Sequence, residues 1–310
     1  MSIAPQRSPR PAPLQLRQPR QLRQLRQLRQ PRQLATSLAL AACLAGPAQA
    51  AITVFESAAA QPAGIVAARD SFRLAVGGGN VAAPNGDFGG LRREINWDGV
   101  PDSRADPNAL PADFFNVNSP RGVVFSSPTA GASFALSANS NLATPVLFGF
   151  SGDLQVFSAQ RLFATVGSRS TDIRFFVPGT ATAATTSAFA AVFVDVENND
   201  VTDFTTMEFF NQNNALIFSR HVLVAGNQGL SFLGGAASAG ELISRVRITT
   251  PNNFLIGSGQ RLNESNDFVV MDDFLYATPS LVPEPAAWAL ALLGLGLGLG
   301  SLGWKGRRRA

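Results

Sequence analysis

The sequence predicts a mainly β protein: an antiparallel β-sandwich, jelly-roll-like, with one early helix, an N-terminal signal peptide and a C-terminal transmembrane helix. Three observations carry this reading. After residue 120, short runs rich in Phe, Val and Ile recur between clusters of Gly, Pro, Asn and Ser, the spacing of strands and turns. Near residue 50 an apolar stretch ends in small residues behind a basic leader, the layout of an export signal. At the far end, Ala286 to Trp304 carries no charge and runs into Lys305-Gly306-Arg307-Arg308-Arg309. The chain therefore divides into a signal segment (1–50), an exported domain (51–280) and a C-terminal segment (281–310).

Residues 1–33 hold Arg7, Arg10, Arg17, Arg20, Arg23, Arg26, Arg29 and Arg32 and no acid, within a repeating Gln-Leu-Arg triplet. Alone, such a tract reads as a nucleic-acid arm. Leu34 to Ala45 is an apolar h-region, however, and Gly46-Pro47 then leads into Ala48-Gln49-Ala50. That order is a secretory signal with cleavage between Ala50 and Ala51. The long leader is low-complexity and specifies no fold; a start codon assigned too far upstream is one explanation of its length. Leu40-Ala41-Ala42-Cys43 also matches a lipobox, so lipidation at Cys43 is a second processing route, redundant with a C-terminal anchor.

The formal charge of the whole chain is +4. Between 51 and 280 there are thirteen arginines against twenty acids, so the exported domain is acidic and no nucleic-acid partner is expected. Cleavage after Ala50 removes Cys43, the only cysteine. The mature domain then has no intramolecular disulfide and must be stable through its core.

Pro62–Val76 has helical periodicity, with Ile65, Ala68 and Phe72 on one face and Gly77-Gly78-Gly79 as the stop. Expected strands are Gly122–Ser126, Val146–Phe150, Leu154–Phe157, Leu162–Val166, Asp172–Val177, Ala190–Val196, Thr205–Phe210, Ala215–Val224, Leu230–Leu233, Leu242–Thr249 and Phe268–Ala277. In one of them Arg245, Arg247 and Thr249 face one way, and Val246 and Ile248 the other. Residues 80–120 read as a long Asn/Asp/Gly/Pro-rich connection, and one of that length is functional or held by its own side chains. Its Leu91–Asp102 and Leu110–Gly122 stretches resemble a recurrent element of uncharacterised secreted bacterial proteins, which implies no activity. Trp97, Phe114 and Phe115 within it are packed anchors or, for Trp97 above all, a face for stacking on sugar.

Several chemistries drop out. His221 is the only histidine, so Cys–His catalysis and histidine-based metal sites lack their residues. A serine triad would need His221, which lies in an apolar run and reads as a partly buried structural side chain. No phosphate-binding glycine loop runs from a strand into a helix. Carboxylates remain: Glu94, Asp98, Asp102, Asp195, Glu197, Asp272 and Asp273 are the candidates for glycoside hydrolysis, which needs two at a set separation with their pKa values pushed apart. Solvent-facing acids are the plainer account of most of them. Oxygen-only ligands suit Ca2+, and Asp195, Glu197 and Asp200 cluster at a strand end. Met271-Asp272-Asp273-Phe274 resembles the closing strand of carbohydrate-binding jelly rolls, which adds Asp272 as a candidate calcium ligand.

The tail is the most specific feature. Nineteen uncharged residues cover roughly 28 Å as a helix, about one hydrocarbon core, and the basic end favours a cytoplasmic C-terminus. Pro283-Glu284-Pro285, the apolar span and the arginine cluster together resemble the PEP-CTERM sorting signal of Gram-negative bacteria. The resemblance covers 282–310 and implies an exosortase as partner, transient residence of the C-terminal helix in the inner membrane, and delivery to the cell surface or an extracellular polysaccharide matrix. The expected role is structural or binding and non-catalytic. A glycan-binding module and a carboxylate-dependent carbohydrate-active enzyme are the alternatives.

Overall fold

The computed structural model describes residues 52–138, 146–197, 203–238, 240–264 and 266–281. Ala50 and Ala51, the Pro283-Glu284-Pro285 motif and the apolar tail lie outside the described residues. Among the described residues no helix is long and apolar enough to cross a membrane.

Fifteen strands form two sheets. In chain order they are β1 (Ile52–Ala59), β2 (Asp87–Phe88), β3 (Arg92–Ile95), β4 (Val123–Ser126), β5 (Ser133–Leu136), β6 (Phe163–Val166), β7 (Ser170–Phe175) and β8 (Ala188–Val194). There follow β9 (Thr206–Phe210), β10 (Leu216–His221), β11 (Leu230–Ala237), β12 (Arg245–Thr249), β13 (Leu255–Gly257), β14 (Gln260–Arg261) and β15 (Val270–Ala277). Two helices, α1 (Val66–Val76) and the single turn α2 (Phe114–Val117), complete the described α structure. The larger sheet runs β1-β11-β8-β15-β6-β13-β14, with the β2–β3 hairpin added beside β15 and β5 beside β6. The smaller runs β10-β9-β12-β7-β4. Pairing is antiparallel except between β6 and β13.

The sheets pack face to face through aromatic rings. Phe125 of the smaller sheet lies 4.9 Å from Phe163 of the larger, and Phe175 lies 5.9 Å from Tyr276. Val246 and Ile248 point into this layer and are fully buried, as their alternation with Arg245 and Arg247 predicts. A second apolar layer covers the opposite face of the larger sheet, where Phe72 of α1 meets Phe55 and Phe232 at 5.6 and 6.1 Å. Coverage on both faces explains why β8 and β15 read as near-continuous apolar runs: every residue of each is buried. Gly234 makes the helix contact possible, since a Cβ there would sit 2.9 Å from the Phe72 ring and 2.8 Å from Ala190. Gly77 ends α1 at φ 89°, its N–H donating to Arg73 O.

The structure departs from expectation in three places. Val146–Phe150 is no strand: Leu147 and Phe148 take φ of 52° and 58° and form a 3-10 turn that buries Phe148 against the outer face of the larger sheet. Leu154–Phe157 likewise plugs that layer without pairing. The 80–120 connection is built, containing β2, β3 and α2.

Candidate functional site

A polar cleft of about 550 Å³ opens between α1, the β2–β3 hairpin and β15, and an adjoining furrow of about 760 Å³ extends it along α1. The two share Arg69, Arg73, Ala82 and Phe88. Helical spacing puts Arg69 and Arg73 on one face, one turn apart. Pairing of β3 with β15, Ile95 opposite Phe274, then brings Glu94 under them.

Glu94 is held from two sides. Arg73 donates from Nε to Oε1 at 2.9 Å and from Nη2 to Oε2 at 2.6 Å. Arg92 donates from Nε to Oε1 at 2.7 Å. The Arg92 guanidinium is itself buried, donating to Arg73 O, Gly77 O and Gly79 O and lying 4.5 Å from the Phe88 ring centre. It therefore ties the end of α1 to β3, and two guanidinium groups occupy both oxygens of the Glu94 carboxylate.

Beneath Glu94 lies a carboxyl pair created by an irregularity in β15. The register against β8 shifts between Met271 and Phe274, and both of those side chains enter the inter-sheet core although they are three residues apart. Asp272 and Asp273 occupy the break in alternation, both buried. Asp272 Oδ2 accepts from Phe157 N–H at 2.6 Å and Ser158 N–H at 3.3 Å. Ser158 Oγ stands 3.0 Å from Asp272 Oδ1 and 2.7 Å from Asp273 Oδ1. The hydroxyl donates between the two carboxyls, and two buried acids this close favour keeping a proton on the pair. Desolvation raises both carboxyls, and the neighbouring negative charge adds to the rise. Asp273 reaches the cleft wall; Asp272 does not.

Arg121, absent from the sequence-derived candidates, forms the far wall. Its Nε donates to Ser119 Oγ at 3.1 Å and its Nη1 to Glu94 O, while the guanidinium sits 5.2 Å from the Phe115 ring centre. Gly86, at φ +60°, passes so close that a Cβ would be 2.8 Å from Arg121 Nη1 and 2.2 Å from Glu94 O. A further cavity of about 360 Å³ lies on the other side of Arg121.

Of the sequence candidates, the cleft gathers Glu94 and Asp273 only. Asp98, raised to about 6 chiefly by burial, is close enough to Asp273 to feel its charge but does not line the cleft. Asp102 is paired with Arg161. Trp97 corrects the sugar-stacking expectation: it is 1% exposed, stacked on Phe163 at 4.6 Å, and its Nε1 donates to Asp272 O at 2.7 Å. Its ring packs among Phe115, Phe125, Phe163 and Phe274, although it borders a cavity beside Arg121. His221 is exposed rather than partly buried, because its strand is an outer edge; Nδ1 lies 3.0 Å from Thr206 Oγ1.

Among the described residues the calcium candidates are not brought together. Asp272 is committed to Phe157 and Ser158, and Asp200 lies outside the described residues. Asp195 accepts from Gln228 N–H at 2.9 Å, and Glu197 donates its N–H to Asp267 Oδ2 at 2.9 Å. Burial drives Asp195 and Asp267 up to about 7, and the nearby acids reinforce it. Among the described residues no three Asp, Glu, His or Cys side chains converge in a way that could hold a metal ion.

No protein-family model matches the chain, and no curated protein is similar to it by sequence. A solved Streptococcus pneumoniae fucose binding module aligns with 45% of this chain and 89% of its own, at 10% identity and a TM-score of 0.19. A likeness of that degree decides neither fold nor ligand.

Proposed function

We propose that this chain is an exported surface or matrix protein, routed by its signal segment and its PEP-CTERM-like tail, that holds a saccharide in the cleft beside α1 without cleaving it. The cleft itself carries the binding reading: an open concavity with fixed hydrogen-bonding groups and half-buried Phe88 and Phe157 on its walls suits a hydroxyl-rich ligand. The state of Glu94 favours binding over cleavage. Glycoside hydrolysis needs two carboxyl groups free to act on the substrate, but both oxygens of Glu94 are taken by Arg73 and Arg92, and Asp273 is engaged by Ser158.

Ala82→Trp fills the cleft mouth from an exposed position. Calorimetric titration of the full chain with matrix saccharides is expected to show binding that this variant abolishes; equal binding by both would place the ligand elsewhere. The enzymatic reading is tested by incubation with the same saccharides, where reducing ends released by the protein and lost in Asp273→Asn would replace the binding proposal. For the sorting claim, Glu284→Gln is expected to leave the protein unprocessed in the inner membrane. Normal surface delivery of that variant would overturn it.

A further inference from the structure

The acids and bases of the cleft pair off unevenly. Arg69 is paired with Asp70 at 2.9 Å, and Arg73 and Arg92 share Glu94. Arg121 has no carboxylate partner among the described residues, and its Nη2 donates to nothing there, although acids outnumber bases by twenty to thirteen in the domain. The group is also not loose: Ser119 Oγ and Glu94 O fix two of its nitrogens, and Phe115 backs its plane. Burial and the positive charge of Arg93 both weigh against its charged form, so an anion arriving there relieves a standing cost. A half-buried guanidinium held in place with one edge open is a preorganised seat for a planar anion, and little side-chain freedom is lost on binding. The Asp272–Asp273 pair, holding its proton, adds no full second negative charge to the cleft to oppose this.

Building on the saccharide reading above, we infer that the cleft takes an acidic saccharide, a hexuronate whose carboxylate is bound by Arg121 while its ring hydroxyls face Glu94, Asn96 and Asp273. All four residues line the same cleft. Because Arg121 also borders the neighbouring cavity lined by Asn118 and Ser119, that cavity would accommodate the next residue of a chain, favouring oligomers over monosaccharides.

The test titrates the full chain, in detergent, with a hexuronate oligosaccharide, its methyl ester and a neutral hexose oligomer of equal length. The acid is expected to bind at least ten-fold more tightly than the ester, the scale of a charge-assisted hydrogen bond. Arg121→Met should abolish the preference for the acid, bringing the ratio of acid to ester affinity to about one. Arg121→Lys, which keeps the charge and loses the planar fork, should lose several-fold and decides the matter if the Met variant does not fold. Equal affinity for acid and ester would overturn the anionic inference and leave the saccharide cleft standing. Failure of every saccharide to bind, with Ala82→Trp behaving as wild type, would overturn the cleft reading and this inference with it.

Discussion

Asp267→Asn is expected to stabilise the protein at pH 8 and to destabilise it slightly at pH 4.5. Asp267 is 6% exposed, its Oδ1 has no hydrogen-bond partner, and Glu197 and Asp203 both press negative charge on it. Its carboxyl titrates near 7 in the native protein against 3.8 for a free side chain. The native state therefore binds this proton more tightly than the unfolded chain does. Relative to strongly acidic solution, stability falls as pH rises from about 4, and the loss is complete above about 7. At about 1.4 kcal/mol per pKa unit the full penalty is on the order of 4 kcal/mol, shared in part with Asp195, whose charge interacts with it. An Asn amide keeps the acceptor for Glu197 N–H but buries unpartnered N–H groups, at roughly 1–3 kcal/mol. The net gain at pH 8 is about 1–3 kcal/mol, or roughly 2–12 °C in Tm for a domain of this size. At pH 4.5 the native carboxyl is neutral and the unfolded one mostly ionised, so about 1 kcal/mol of the penalty is already present to offset the amide's cost, leaving a small net loss. Differential scanning calorimetry of both proteins at both pH values measures the two differences. The same difference at pH 4.5 and pH 8 would refute the account of Asp267 as a charge held against its burial.

Two substitutions test what holds the sheets and the helix. Asp172→Ala should cost about 3–5 kcal/mol by chemical denaturation, because Asp172 receives Arg245 at 3.2 Å and Arg247 at 2.7 and 2.8 Å across the smaller sheet; a loss under about 1 kcal/mol would show the network to be surface decoration. Phe72→Ala should cost about 3–5 kcal/mol and open the cleft by loosening α1, seen as faster amide exchange over 66–76. Unchanged exchange there would separate the helix from its anchor.

The parts of the fold visible in sequence are those that local pattern can specify. The helix at Pro62–Val76 and the runs of β8, β12 and β15 follow from periodicity and continuous apolar character. β1 and β3 were not legible. Arg92, Arg93 and Glu94 read as a polar loop, and only tertiary partners, the carbonyls at the end of α1 for Arg92, make β3 a buried strand. Val146–Phe150 has the composition of a strand, but two residues at positive φ turn it aside. The candidate acids were drawn from composition, and topology alone decides which of them meet: Glu94 and Asp273 are 179 positions apart and adjacent in the sheet. Arg73 and Arg121 carried no signal as a pair, because one is on a helix and the other precedes β4. The fixed spacing of Arg69 and Arg73 was the one cue available to sequence reasoning.

The central place of β15 has a consequence for timing. A chain emerging N-terminus first presents β1 long before β11, and the β2–β3 hairpin long before the strand it is added to. β1 waits for β11, with Ile52 against Ala237, and β15 then joins β8 on one side and β3 on the other. The β1-β11-β8 ladder and the smaller sheet can pair before β15 emerges, but the larger sheet is joined across its middle only by that last strand, a long-range pairing. The cleft is then the last thing to form, since Asp272 and Asp273 arrive with the final strand. Until that strand pairs, the floor of the cleft and its carboxyl pair do not exist.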